Sequence, residues 1–137
     1  MIFVDTSVFY ARLAEDDRHH QAADEFFRTV TRPLVTTREV IFESHAMMLK
    51  ISRLRPAANM ESAAGRFLEA IDNGLAKVIL ATDADHEAAR AIIAAHRDKD
   101  FSLCDALSFA IMERLGITVA ASFDRHFRQY GRFTVLP

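Results

Sequence analysis

The chain has 137 residues, of which 50% are hydrophobic and 26% charged, a composition that excludes a disordered or fibrous protein. Its 17 Lys and Arg residues nearly balance 19 Asp and Glu residues, and the formal net charge of −2 argues against a protein that binds nucleic acid by bulk positive charge. The single cysteine, Cys104, excludes an internal disulfide and a zinc site built from several thiolates.

The length predicts one domain over residues 1–137. The N-terminus reaches Asp5 directly after Met-Ile-Phe-Val and so lacks the apolar region of a secretory signal. No apolar run is long enough to span a membrane, which takes roughly 18 residues or more. We therefore expect a cytoplasmic protein that makes no contact with membranes.

Short apolar runs alternate with helical periodicity along the chain, and Gly or Pro breaks are few. The predicted strands are Ile2–Asp5, Pro33–Thr37, Ala76–Ala81, Thr118–Ala121 and Arg132–Leu136. The predicted helices are Ser7–Ala14, His20–Val30, Arg38–Arg53, Ala57–Ile71, Asp83–His96 and Ser102–Leu115, with a short helical turn at Asp124–Arg128. This alternation predicts an α/β fold, in which a parallel sheet carries helices on both faces and ligands bind at the carboxyl ends of the strands.

Two aspartates fall at the predicted carboxyl edge of this sheet. Asp5 closes the first strand, and Asp124 follows the strand Thr118–Ala121. Each also has an ordinary structural interpretation, since Asp5 could cap the next helix and Asp124 could be a turn residue.

Glu43 interrupts an apolar stripe on the helix Arg38–Arg53. The residues that share its face are Val40, Met47, Ile51 and Leu54. If this face is buried, an unpaired carboxylate on it is strongly unfavourable, so Glu43 is expected to bind a cation or a proton.

Asp105 lies on an apolar face of the helix Ser102–Leu115, together with Phe109 and Met112. Ser102-Leu103-Cys104-Asp105 also fits a capping box, in which Asp105 accepts from the backbone N–H of Ser102. The two roles are compatible, since a carboxylate has two oxygens.

Four carboxylates from four segments could converge on one cleft, and they would then need cations. Two unit charges about 4 Å apart repel by ~4 kcal/mol at an effective dielectric constant of ~20. No lysine lies near any of the four in sequence, and only Arg125 adjoins one of them. Ligation by several carboxylates suits Mg²⁺ or Mn²⁺ rather than zinc, and such sites act on phosphate esters.

The segments around these acids resemble motifs of the PIN-domain nucleases, most closely the VapC-type toxins of prokaryotic toxin–antitoxin pairs. The segments are Ile2–Ser7, Thr36–Glu43, Asp98–Phe109 and Ser122–Phe127. They follow the order and spacing of the family, and the resemblance extends over essentially the whole chain.

The resemblance implies a three-layer α/β/α PIN-like fold with a central, mostly parallel sheet of four to five strands. It implies an endoribonuclease that uses one or two Mg²⁺ or Mn²⁺ ions. The implied metal-binding and catalytic residues are Asp5, Glu43, Asp105 and Asp124. The implied supporting polar residues are Thr6, Ser102 and Ser122.

Other residues receive secondary interpretations. A metal-activated water would attack the RNA phosphate, and Arg125 is a candidate phosphate contact. Cys104 stands where Thr is common in the family motif, and we expect it to be a packing variation. His126 is interpreted as a supporting or packing residue near Asp124, and Met47–Met60 as a partner or dimer surface.

The implied partners are an RNA substrate, a VapB-like antitoxin that places a basic side chain at the acidic site, and a second copy of the chain in a homodimer. Two alternatives remain open. One is a PIN nuclease of RNA processing without an antitoxin. The other is a catalytically silent PIN module that binds proteins and no longer binds Mg²⁺ or Mn²⁺.

The four candidate ligands change the meaning of the net charge. Without them, 15 acidic residues remain against 17 basic ones, so the rest of the chain carries a charge of +2. Because bound divalent ions would reverse the sign of the site, we expect affinity for RNA to depend on metal.

Overall fold

Five parallel strands form the central sheet of the computed structural model, which describes residues 1–137, and helices cover the sheet. The strands are β1 (Ile2–Val4), β2 (Leu34–Thr37), β3 (Lys77–Ile79), β4 (Val119–Ala121) and β5 (Thr134–Leu136). The helices are α1 (Thr6–Leu13), α2 (His20–Thr29), α3 (Arg38–Leu54), α4 (Met60–Asp72), α5 (Asp83–Ala95), α6 (Leu103–Arg114) and α7 (Arg125–Tyr130). The predicted α/β/α fold with a parallel sheet is confirmed.

The strand order β3-β2-β1-β4-β5 creates a switch point at the central strand. From β1 the chain moves outward through β2 to β3, and it then returns to place β4 on the other side of β1. The carboxyl end of β1 therefore lies between those of β2 and β4, where open α/β sheets bind ligands. The backbone N–H of Asp5 donates to the carbonyl of Ala121 at 3.1 Å, which joins the ends of β1 and β4.

The predicted helix Ala57–Ile71 begins later than its apolar pattern indicates. Pro56–Ala58 forms a 3₁₀ turn, and Asn59 takes a left-handed conformation with φ 49° before α4 begins at Met60. Proline suits the first position of a helical turn, and asparagine is one of the few residues that tolerate positive φ. Local backbone chemistry thus separates α3 from α4.

Aromatic packing beneath α6 forms a large part of the core. Phe109 stacks on Tyr130 with ring centroids 4.4 Å apart and meets Phe127 edge-on at 4.9 Å. Every residue of α6 from Ala106 to Met112 is buried, which explains why this helix shows almost no polar face. The described helices include none with the length and hydrophobicity that crossing a membrane requires.

An ion pair between a buried carboxylate and a partly exposed guanidinium connects α5 to α6. The Asp85 side chain is 2% exposed and accepts from Arg114 Nε at 2.7 Å and Nη2 at 2.8 Å. Asp85 also completes a capping box with Thr82 at the start of α5. The Arg114 hydrogen bonds, opposed by burial and reinforced by Thr82, lower the pKa of Asp85 to about 2.

We predict that Asp85→Asn lowers the free energy of unfolding at pH 7 by about 2 kcal/mol, because the ionised carboxylate is stabilised only in the folded protein. The folded pKa lies below the unfolded value of 3.8, so this stabilisation is complete above pH 3.8 and is lost as the pH falls toward 2. Urea unfolding of variant and parent at pH 7 and pH 3 measures the change. Asp98→Asn is the matched control, since the exposed Asp98–Lys99 pair should contribute little.

Candidate metal centre

The four predicted acids line one cleft of about 500 Å³ at the carboxyl edge of the sheet. Asp5 follows β1, Glu43 lies on α3 after β2, Asp105 lies in the first turn of α6, and Asp124 follows β4. The other polar residues that line this cleft are Thr6, Ser7, Lys50, Ser102 and His126. The chain topology therefore brings together carboxylates that lie up to 119 positions apart in sequence.

Asp5 is buried at the base of this cleft and also caps α1. Its Oδ2 accepts from the Ser7 hydroxyl at 2.6 Å, from the Ser7 N–H at 3.2 Å and from the Ser122 hydroxyl at 2.9 Å. Burial raises the pKa of Asp5 to about 6, although the hydrogen bonds from Ser7 and Ser122 act in the opposite direction. Both interpretations made from the sequence, the helix cap and the site residue, are compatible with this geometry.

The expectation that Glu43 is buried on an apolar face is wrong. Glu43 is exposed, and on the same stripe Met47 is 37% and Leu54 68% exposed, because this side of α3 forms the wall of an open cleft. Glu43 Oε2 accepts from the Thr6 hydroxyl at 2.5 Å, so the carboxylate is oriented by the residue that follows Asp5. The sequence thus indicated a carboxylate that lines the cleft, although the burial argument for it was incorrect.

Asp105 forms the predicted capping box with Ser102. The Ser102 N–H donates to Asp105 Oδ2 at 2.8 Å, and the Asp105 N–H donates to the Ser102 hydroxyl at 3.0 Å. The box fixes the Asp105 carboxylate at the start of α6, where that side chain borders the cleft.

Asp124 and Ser122 follow β4 and are joined to the Asp5 network. The Ser122 hydroxyl donates to Asp5 and accepts from the Asp124 N–H at 3.0 Å, and Ser122 is completely buried. Asp124 Oδ1 in turn accepts from the His126 N–H at 2.8 Å and caps α7. Ser122 therefore ties two of the acids to one another.

His126 occupies a more central position than the sequence indicated. Its Nδ1 lies 2.9 Å from Asp105 Oδ2 and 3.2 Å from Asp124 Oδ1, and its Nε2 lies 3.0 Å from Asp100 Oδ1. Burial lowers the pKa of His126, but the Asp100 hydrogen bond and the charges of Asp124 and Asp105 outweigh it, and the net shift is upward. The sequence feature that could have indicated this role is the position of His126 two residues after Asp124.

Two basic residues also differ from the interpretation of the sequence. Lys50 lines the cleft although it is not a neighbour of the acids in sequence: seven positions along a helix amount to two turns, so Lys50 falls on the face of Glu43. Arg125 points elsewhere, and its Nη2 pairs with Asp100 Oδ2 at 2.7 Å outside the cleft. A phosphate contact by Arg125 stays a prediction.

Cys104 is half-buried beside the acids. Burial and the neighbouring carboxylate of Glu43 raise the pKa of its thiol, so the sulfur is protonated at neutral pH. A protonated thiol is a poor nucleophile, in keeping with the view of Cys104 as a variation of the family motif.

The oxygen atoms of the site fit a divalent cation. In each acid, the hydrogen bonds from protein N–H and O–H groups reach a single oxygen: Oδ2 of Asp5, Oε2 of Glu43, Oδ2 of Asp105 and Oδ1 of Asp124. Potential ligand atoms of Asp105, Asp124 and the His126 ring lie within 4.8 Å of one another, a group that does not include Asp5 or Glu43. Each carboxylate thus keeps a second oxygen for a hard cation.

We predict that Asp5→Asn stabilises the metal-free protein at neutral pH. The pKa of Asp5 is about 6 in the folded protein and 3.8 in the unfolded one. Below pH 3.8 the carboxyl is protonated in both states and the parent keeps its full stability relative to the variant. That stability is lost as the pH rises through 6, because the buried group must then carry a charge. Asparagine caps helices as well as aspartate does, so the variant should gain ~2–3 kcal/mol relative to the parent across this interval.

Thermal unfolding in EDTA at pH 4 and pH 8 tests this effect, with the exposed Asp72→Asn as control. Excess Mn²⁺ should reverse the order at pH 8, since ligand binding stabilises only the protein that binds it. An advantage of the variant that is the same at both pH values would contradict the assigned cause.

The chain is similar to known proteins over its whole length. The chain matches the PIN domain family over residues 2–133. It is 29% identical over 137 residues to the 23S rRNA-specific endonuclease VapC20 of Mycobacterium tuberculosis, an alignment that covers 100% of this chain and 99% of that protein.

Solved structures show the same fold. The crystal structure of Mycobacterium tuberculosis VapC20, a Sarcin-Ricin loop cleaving toxin, superposes with a TM-score of 0.85 at 28% identity and covers 100% of both chains. A chain of a toxin–antitoxin complex from Klebsiella pneumoniae has a TM-score of 0.68 at 12% identity, covering 100% of this chain and 97% of that one. The resemblance found in the sequence motifs is thereby confirmed, and the chain belongs to the PIN-domain family.

Proposed function

We propose that this protein is a Mg²⁺- or Mn²⁺-dependent endoribonuclease that acts as the toxin of a toxin–antitoxin pair. The observation that carries the proposal is the cleft into which Asp5, Glu43, Asp105 and Asp124 project from four separate segments. The full-length similarity to a 23S rRNA-specific endonuclease supports the reaction class. The first RNA to test is therefore 23S rRNA, and within it the sarcin–ricin loop.

In this proposal, the four carboxylates hold one or two ions through their second oxygens. A bound ion would supply Lewis-acid activation of water and neutralise charge on the phosphate. The Thr6 hydroxyl orients Glu43, the Ser122 hydroxyl orients Asp5, and the backbone N–H of Ser102 orients Asp105. These hydrogen bonds limit the rotation of the ligands, and such supporting contacts typically account for 10- to 100-fold in metal affinity or activity.

A basic side chain of a partner protein could inhibit the enzyme by pairing with the acids of this cleft. Buried Asp5 and its three acidic neighbours form a negative site that an arginine or lysine of an antitoxin would complement. The toxin–antitoxin complex from Klebsiella pneumoniae has the same fold, which is compatible with a partner of this kind. A homodimer, with Met47–Met60 in the partner or dimer surface, also belongs to the proposal.

The double variant Asp5→Asn, Asp105→Asn should reduce RNA cleavage by at least about 100-fold, because two of the four candidate ligands lose their charge. Gel-based cleavage of 23S rRNA fragments with Mg²⁺ gives the rate. Asp72→Asn, far from the cleft on α4, is the control and should cleave at the parental rate. Parental cleavage by the double variant would show that the assigned site is wrong.

Removal of metal should abolish cleavage and weaken RNA binding together. Cleavage sites mapped across total RNA with Mg²⁺, Mn²⁺ or EDTA test the reaction, and calorimetry with Mn²⁺ tests binding to the protein alone. Cleavage that persists in EDTA would overturn the mechanism. An absence of both Mn²⁺ binding and cleavage would instead favour the catalytically silent protein-binding module.

Co-purification separates the two nuclease alternatives. A toxin should be isolated with an inhibitory partner that is displaced when its basic residue is substituted. A PIN nuclease of RNA processing should cleave its RNA without any such inhibition.

A further inference from the structure

Lys50 is the one lysine of the chain that borders the acidic cleft. The other two lysines are placed differently: Lys99 pairs with Asp98 at 2.9 Å, and Lys77 is exposed at the start of β3, the end of the strand opposite the cleft. Lys50 is exposed on α3 and forms no ion pair with the acids that share its cleft. Its positive charge is thus available to a ligand.

The position of Lys50 on α3 separates it from the acids by a defined distance. Two turns of helix lie between Glu43 and Lys50, a rise of about 10 Å between their Cα atoms. Ala46 and Met47 line the wall between them and carry no charge. Lys50 therefore lies on the wall of the cleft two helical turns from Glu43.

Charge explains why a cation at this place serves the substrate rather than the metal. An ammonium within about 4 Å of the carboxylates would neutralise them and repel a divalent ion. Farther along the wall of the cleft, the same ammonium would instead be placed to contact the RNA backbone beside the acids. Lysine binds phosphate as a point charge with three donors, a contact that carries no base specificity.

We propose that Lys50 binds an RNA phosphate next to the scissile one and thereby aligns the strand along α3. This inference rests on the proposed ribonuclease function. Lys50 is then a residue of substrate binding that acts on every cleaved sequence alike, while base preference arises elsewhere in the cleft.

The variants Lys50→Met and Lys50→Arg test the proposal, with Lys77→Met as the matched control. Lys50→Met should raise KM for RNA about tenfold with kcat nearly unchanged, since one charged hydrogen bond is lost. The dependence of log affinity on log salt should become shallower by about 0.7, the value for one phosphate contact on a single strand. Lys50→Arg should keep most of the affinity, and Lys77→Met should match the parent.

Affinity is measured by fluorescence anisotropy with RNA in the Asp5→Asn, Asp105→Asn background, in which the RNA should not be cleaved. Kinetics are measured with chains that carry only the Lys50 or Lys77 substitution. An unchanged KM and salt dependence in Lys50→Met would overturn the proposal, as would a loss confined to kcat. Failure of the parent itself to cleave RNA in Mg²⁺ or Mn²⁺ would overturn the ribonuclease function and this inference with it. Parental cleavage with an unaffected Lys50→Met would leave the function intact and remove only the role of Lys50.

Discussion

The site depends on one constraint: four carboxylates must stay close together although their charges repel. Three of the four are held at helix N-termini, since Asp5 and Asp124 cap α1 and α7 and Asp105 completes the capping box of α6. The positive end of a helix favours a negative charge there. Capping also directs the hydrogen bonds to one oxygen of each carboxylate, which leaves the other for a ligand. Structural and proposed catalytic roles therefore share the same side chains.

The same arrangement lowers the stability of the metal-free fold. Burial holds the pKa of Asp5 near 6, so its charge at neutral pH opposes folding. By contrast, Asp85 is buried with Arg114, and its pKa of about 2 shows that this charge favours folding. Both carboxylates are nearly inaccessible to water, yet their pKa values shift in opposite directions because only Asp85 has a guanidinium partner. The scaffold is stabilised where charges are paired, and the cleft retains unpaired acids that a cation can neutralise.

Prediction from the sequence was reliable where local chemistry is strong. The strand–helix alternation, the capping box at Ser102 and the position of Asp5 after an apolar strand all depend on neighbours within a few residues. It failed for the burial of Glu43, because periodicity identifies a face of α3 without showing whether another element covers it. It also underestimated His126, whose contacts with Asp100 and Asp105 span 26 and 21 positions, and it overlooked Lys50 because sequence distance conceals two helical turns.

The sequence by itself determined the α/β class and the parallel order of strands and helices, since both follow from spacing, and its motifs indicated four candidate acids. Tertiary structure alone decided that these acids share one cleft. The return of the chain from β3 to β4 beside β1 sets that proximity, and no local pattern encodes a crossover of this length. Tertiary structure likewise decided the charges that border the acids: His126 inside the cleft, Lys50 along its wall and Arg125 outside with Asp100. Those contacts depend on which helices meet, and so they are a property of the packed fold.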